Sequence, residues 1–457
     1  MKHRVKWLVL FLIQNVHEVE EDTQFMDMTL RELMELKADP SMAIAGCIST
    51  TALSQTLIVE LDKAVLGKGK VFNFVVEILV GADKHKKRLR VLEELPSVSG
   101  LQDVATVSGI FDTLRGYFDY EHVLLTTLDH GSGFAIFAPP DAPPRLYSLA
   151  HRFSLKKKRA ATPVHKKKEK KRTLAAYRAA VLKSTRDAEP SGLTMDKLHQ
   201  AIRKTFGTID VIFMRNCFMQ MFDTGYTLRE VTRYLVAFES LMWFPAFDYV
   251  TWFKAMQTEG TLLTPEEVVT SAIRGLTRTR MLERMRTDSA VFGNDLQYYP
   301  QLNVLMNSMI GELILYVEGH KARLLACRVG IIDIVHKDYK GADYQLVDAR
   351  FWFVKAGKLL RKNEKYQEAL ASFLVVHEQM VGNRQFVGKL LGSGRYHESG
   401  FSLYFPDSAE NIARDGSFYS LYYAPQSLTR SGFSHHSLWP EFIAYLFLDV
   451  KPHRLRE

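Results

Sequence analysis

Cysteine is scarce in this chain and cannot be paired off. Cys47, Cys217 and Cys327 are odd in number and far apart, so they form neither a disulfide framework nor a CxxC metal site. Folding must rest on the apolar core. The chain also lacks any apolar run of the roughly eighteen residues that a spanning helix needs, so no membrane span is expected. No segment repeats at a fixed period, and no His/Asp/Glu set has ligand spacing. His435-His436 alone is too little for a metal site, so none is assigned. Nor is positive charge spread along the chain. Of the net +9, residues 152–172 hold 11 Lys/Arg against one Glu, which leaves everything else close to neutral. That basic run has no interleaved aromatics for base stacking, which argues against a nucleic-acid partner.

What is present is a large apolar content. At 457 residues and 47% hydrophobic, the chain can bury a sizeable core and more than one domain. Its opening, Lys2-His3-Arg4-Val5-Lys6 followed by Trp7 to Ile13, imitates an export signal. The apolar run is short, however, and no small-residue cleavage site follows, so Trp7 to Ile13 reads as the first buried strand. Phe25 to Leu36 has helical spacing. Ala43 to Ile48 and Val71 to Val80 read as further strands, and Leu101 to Phe118 as a helix with Val104, Val107, Ile110, Phe111 and Leu114 inward. Met195 to Phe206 and Phe218 to Tyr226 are expected to be helical, and Tyr234 to Glu239 a strand. Strand–helix–strand alternation at this spacing argues an α/β sheet with helices on both faces. Thr264-Pro265-Glu266-Glu267 opens a helix capped by Thr264. Beyond it, Leu302 to Leu325 and Tyr344 to Leu360 look helical, and the last third, with Gly400 to Pro406, is expected to be β-rich.

Two strand ends carry chemistry. Val123 to Leu128 is an apolar, β-branched run that breaks at Asp129-His130-Gly131-Ser132-Gly133. An imidazole delivered at a strand's carboxyl edge sits where open α/β sheets keep their ligands, and its ordinary pKa suits acid/base work. Ile209 to Met214 is a second such run, ending in Arg215-Asn216-Cys217. Each alone has a plain structural reading: a histidine at a strand end, and a buried free thiol. If the strands are neighbours in a parallel sheet, the two side chains meet above its edge, as a Cys–His pair requires.

These motifs resemble those of the clostripain family of cysteine peptidases, in the caspase-like group that includes gingipains and legumain. Asp129 to Phe134 is similar to the family's D-H-G-S-G-W, and Cys217-Phe218-Met219 with Asp223 and Tyr226 to its D-A-C-L-M motif and following helix. Tyr234 to Glu239 resembles Y-L-V-A-S-E, Ala246 to Tyr249 its G-W-x-Y, and Gly400 to Pro406 its G-L-S-I-Y-F-P stretch. Phe433-Ser434 and Trp439 to Phe442 resemble its closing motif. The resemblance implies a caspase-like three-layer αβα sandwich with a mixed, mostly parallel sheet, plus a C-terminal α/β extension. The peptidase domain would occupy 1–260, with a basic linker at 152–190 inside it. Residues 261–457 would form a helical and β-rich region packed on it.

By the same resemblance Cys217 is the nucleophile, His130 its acid/base partner, and the backbone N–H groups of Gly131 and Cys217 the oxyanion donors. Substrates would be proteins or peptides. Relatives cut after Arg or Lys and process themselves between histidine and cysteine, which makes Lys156, Lys157, Lys158 and Arg159 the candidate cleavage site. The protein would then be a monomer or a processed light/heavy-chain heterodimer. No cofactor is required, and Ca2+ stays open by resemblance. An extracellular or cell-surface setting is implied too, although no signal peptide is read here. One departure matters. Arg215 stands where the family has a pocket acid, and a cation there repels a basic P1 side chain. Either Asp223, Glu239 or Asp248 substitutes for that acid, or the pocket takes an acidic or uncharged side chain. Two functions follow: a cysteine endopeptidase, or a catalytically weak relative that binds peptides or partners through the same cleft.

Overall fold

The first strand is apolar on both faces, and that decides its place. Trp7, Val9, Phe11 and Ile13 alternate with Leu8, Leu10 and Leu12, and all are buried. A strand buried on both sides belongs in the middle of a sheet covered by helices on each face. The computed structural model describes residues 2–15, 41–50, 72–79, 89–95, 100–129, 131–137, 192–240, 242, 249–256, 263–275, 289–328, 345–387, 399–412, 419–423 and 432–450. The helix expected over 25–36, the linker 152–190 with Lys156 to Arg159, His130 and Asp248 lie outside them.

The described residues divide into two units, one drawn from 1–142, 191–297 and 380–395, the other from 298–379 and 396–457. The first unit is built on β1 (His3–Asn15), β2 (Met42–Thr50), β3 (Phe72–Ile78), β4 (Leu89–Leu95) and β5 (Phe118–Leu128). Short strands β6 (Ala135–Ile136) and β7 (Leu193–Thr194) form a separate antiparallel pair. Then come β8 (Ile209–Arg215), β9 (Thr232–Phe238) and β10 (Ser289–Asp295). After β11 (Leu346–Asp348) of the second unit, β12 (Val381–Val387) returns to the first. The sheet has nine strands in the order β12-β10-β9-β8-β5-β1-β2-β3-β4. The central five, β9 to β2, pair in parallel, and antiparallel pairs extend both sides. Only β10 and β3 of these nine run against the rest, so the sheet is mixed and mostly parallel.

Helices cover both faces, which gives the expected three layers. On one face α1 (Val104–Tyr117) packs with α2 (Met195–Thr205), and α2 with α3 (Phe222–Leu228). The inward residues of α1 are Val107, Ile110, Phe111 and Leu114, as their spacing predicts. Asp103 caps α1 by accepting from Thr106 N–H at 2.8 Å. On the other face α4 (Tyr249–Met256) and α5 (Pro265–Gly275) bury Tyr249, Trp252, Phe253 and Val268 against Val9, Phe11, Phe213 and Val236. Thr264 does cap α5. Its hydroxyl accepts from Glu267 N–H at 3.4 Å while the Glu267 carboxylate accepts from Thr264 N–H at 2.8 Å.

The second unit packs helices around aromatic side chains. They are α6 (Tyr299–Val317), α7 (Lys321–Leu325), α8 (Ala349–Leu359), α9 (Glu364–Met380), α10 (Ala409–Ile412), α11 (Gly432–His436) and α12 (Trp439–Leu448). Trp352 and Trp439 meet edge to face at 5.2 Å, with Phe405 and Phe442 beside them. The helix expected over 302–325 breaks at Gly319, which takes φ +78 between α6 and α7. The C-terminal stretch departs further from expectation. The described residues of the last third are mostly helical, with β11, β12 and the three-residue β13 (Ser402–Tyr404) as its strands, and the Trp439 motif opens a helix. Its aromatics pack both from helices, as Trp352, Trp439 and Phe442 do, and from β13 and its flanks, as Tyr404 and Phe405 do.

Candidate active site

The two chemistry-bearing strands are neighbours. β5 and β8 pair in parallel from Leu124↔Val211 to Leu128↔Arg215, so Asp129 to Gly133 and Asn216 to Met219 leave the same edge side by side. The described ends of the two loops, Asp129 and Gly131 on one side and Asn216 and Cys217 on the other, lie above the same edge of the sheet.

The loops touch. A Cβ on Gly131 would lie 2.5 Å from Cys217 O, 2.7 Å from Asn216 Cβ and 3.0 Å from Cys217 N. Only glycine lets the main chain come this close. Gly133 takes φ +89, and a Cβ there would run into the Met221 sulfur. Thr224 Oγ1 donates to Gly133 O at 2.5 Å, which ties the loop to the first turn of α3. The loop then closes through Gly131↔Ile136 and the β6–β7 pair. His130 itself is outside the described residues, but both of its neighbours in sequence are held here.

Cys217 sits just past the end of β8. Its sulfur accepts the Met242 N–H at 3.3 Å, and the thiol faces Met242 O at 3.8 Å. Burial pushes the thiol pKa up to about 11, with the Met242 N–H pulling more weakly the other way. Burial at this position therefore favours the neutral thiol over the thiolate. Phe218, the next residue, adopts φ +64, an unfavourable left-handed conformation for a bulky side chain. The helix expected from Phe218 starts four residues later, at Phe222. The chain turns at 217–218 and does not enter a helix before Phe222, because Phe218 N–H donates to Ser240 O at 2.9 Å and Gln220 N–H to Phe238 O at 3.0 Å.

The three described candidate pocket residues are interior. Arg215, Asp223 and Glu239 are buried. The Arg215 guanidinium lies over the Tyr249 ring, 4.7 Å from its centroid, and the Tyr249 hydroxyl meets Thr126 Oγ1 at 3.4 Å. A desolvated stack of this kind contributes up to about 2 kcal/mol. Arg215 points from β8 toward the α4 face, the side on which Phe213 also lies.

Three groups escaped sequence reasoning. Asn216 is fully buried and bonds across to β5: its Nδ2 donates to Asp129 O at 2.8 Å, and its Oδ1 accepts from Thr127 Oγ1. Gln14, at the end of β1, donates to Asp129 Oδ2 at 2.8 Å. Gln220 is buried with neither end of its amide hydrogen-bonded among the described residues. Asn and Gln are too common for such roles to be legible without neighbours. Among the described residues no group of three or more His, Cys, Asp or Glu gathers as a metal site, and no helix is long and apolar enough to cross a membrane.

No protein-family model matches the chain, and no curated protein does. Solved structures do. It is similar to an inactive zymogen C11 protease from Parabacteroides distasonis, with TM-score 0.53 and 14% identity over 90% of this chain and 94% of that one. It is also similar to a secreted C11 cysteine protease from Bacteroides thetaiotaomicron, with TM-score 0.52 and 10% identity over 95% of this chain and 99% of that one. At such identity the likeness speaks for the fold. The chain has the α/β fold of the C11, or clostripain-family, cysteine proteases.

Proposed function

We propose that the protein is a cysteine endopeptidase with Cys217 as nucleophile and His130 as acid/base partner. The observation that carries this is the seating of Gly131 on the main chain of Cys217, above two adjacent parallel strands. The residue directly before that glycine is the histidine. In the reaction the Cys217 sulfur attacks the scissile carbonyl carbon after its proton passes to His130. The tetrahedral oxyanion is held by the N–H groups of Gly131 and Cys217. The His130 imidazolium then protonates the leaving amine as the C–N bond breaks. Water, deprotonated by His130, attacks the thioester; the C–S bond breaks and the thiol and a carboxylic acid are released.

Attack needs the thiolate, which burial disfavours and the Met242 N–H favours more weakly, so proton transfer to His130 has to accompany it. Cleavage after Lys156, Lys157, Lys158 or Arg159 needs a pocket that takes a basic side chain despite Arg215, with Asp223, Glu239 or Asp248 as the compensating acid. Without that compensation the pocket takes acidic or uncharged P1 groups.

The reading is tested with peptides carrying a thiol-directed ketone warhead and a basic, acidic or uncharged P1 residue. Labelling at Cys217 that is abolished in Cys217→Ala and slowed by at least a hundredfold in His130→Ala is the expected result. No labelling by any of the three overturns it. A second reading, a catalytically weak relative that binds peptides, is favoured by the Met242 contact and the raised thiol pKa. Reversible peptide binding without labelling would identify it.

A further inference from the structure

The β5–β8 ladder ends at Leu128↔Arg215. One residue further, a side chain takes over from the backbone. Asn216 donates from Nδ2 to Asp129 O at 2.8 Å and accepts at Oδ1 from Thr127 Oγ1, so both ends of its amide grip β5, on either side of Leu128. Thr127 and Asn216 are fully buried. Asp129 is held from its other side as well: its carboxylate accepts from Gln14 Nε2, and Gln14 Oε1 in turn accepts from Leu101 N–H at 3.3 Å and Gln102 Nε2 at 3.2 Å. The carboxyl ends of β8, β5 and β1 are thus joined by side-chain hydrogen bonds across three strands.

The arrangement brackets position 130. Asp129, just before it, is bonded to Asn216; Gly131, just after it, rests on Asn216 Cβ and the Cys217 peptide. A buried amide that only filled space could be replaced by an apolar side chain at little cost. Two directed hydrogen bonds instead fix a distance and an angle. The fixed distance lies between the peptide preceding His130 and the peptide preceding Cys217.

We infer that Asn216 is a positioning residue for the Cys217–His130 pair, with Thr127 as its partner and Gln14 as the outer anchor through Asp129. The inference rests on the peptidase reading above. A displacement of about 1 Å between reacting groups costs roughly a hundredfold in rate. Loss of the clamp should therefore be felt in turnover more than in substrate binding.

The experiment compares wild type, Asn216→Ala, Thr127→Val and Thr127→Ser on a cleavable peptide of the P1 class that labels Cys217. Thermal melts establish which variants are folded. Asn216→Ala and Thr127→Val are expected to lower kcat by about 10- to 100-fold with KM within about threefold of wild type. Thr127→Ser, which keeps the hydroxyl, restores most of the rate. Thr127→Val removes one bond in a side chain of the same shape, so the test stands even if Asn216→Ala fails to fold. A folded Thr127→Val with kcat within twofold of wild type overturns the positioning role, as does Thr127→Ser no better than Thr127→Val. If wild-type Cys217 resists every warhead, the peptidase reading falls first and takes the clamp's catalytic meaning with it.

Discussion

The thiol of Cys217 sets the first expectation at the scale of single residues. Its pKa is raised from an ordinary value near 9.0 to about 11 by burial, so the folded state prefers the neutral form more than the unfolded chain does. As pH rises, the unfolded chain ionises first. The stabilisation is therefore complete below about pH 9 and is lost between pH 9 and 11. Alkylation of the resting protein by iodoacetamide should climb roughly tenfold per pH unit from pH 7 to 10, as the thiolate fraction does. A plateau reached below pH 8 would show that the thiol is already ionised at rest. Gln220, three residues on, gives a stability test. Its amide is buried and unbonded at both ends among the described residues, a condition that costs about 1–3 kcal/mol. Gln220→Met keeps the volume and removes the polar atoms, so it should raise stability by about 1 kcal/mol in urea melts. If the variant instead loses more than about 1 kcal/mol, the amide has a partner in solution.

At the scale of elements, the meeting of the β5 and β8 loops depends on a missing Cβ. Gly131→Ala would set a methyl 2.5 Å from Cys217 O and 3.0 Å from Cys217 N, and both obstacles are main chain that cannot rotate aside. The loops must part. Peptide turnover should fall by at least a hundredfold, while the melting temperature drops by a few degrees, because the sheet beneath is untouched. Turnover within tenfold of wild type would mean the loops are not in contact during catalysis. The same strands show what the sequence makes legible. β1, β2, β5, β8 and β9 are central strands buried on both faces, and their continuous apolar runs identify them. β4 is an edge strand, half-exposed and carrying Arg90, Glu93 and Glu94, and it has no such run. β10 and β12 extend the other side with Gly, Asn and Arg among their residues, and they were equally silent. The late start of α3 was hidden because two main-chain bonds to β9 and its exit outcompete helix propensity over residues 218–220. At the site, Gly131 and Cys217 were readable because glycine and cysteine have narrow physical uses. Asn216 was not, since an asparagine reveals its role only through the groups it meets.

At the scale of the whole chain, the segment between Phe137 and Gly192 joins two halves of one sheet. β1 to β5 precede it, while β8, β9, β10 and β12 follow it, and the seam between the halves is the β5–β8 pair. A cut at Lys156 to Arg159 would therefore leave two chains that share a single core: Leu124 and Leu128 from the first lie in the same buried cluster as Val211, Phe213 and Val236 from the second. Separating them would expose both sides of a ladder of buried main-chain groups as well as that cluster, which is far costlier than losing the covalent link. Incubated wild type should give two fragments by intact mass, split within the basic run, and Cys217→Ala should give none. The fragments should elute together by gel filtration and unfold in one transition, parting only in denaturant. Cleavage by added trypsin at the same run should yield the same paired species from Cys217→Ala, which separates the consequence of the cut from its agent. Fragments that part in native buffer would contradict the shared-sheet argument. An uncut wild type whose Cys217 still takes an acidic or uncharged warhead would trace the missing cut to the choice of P1 side chain and not to a silent thiol.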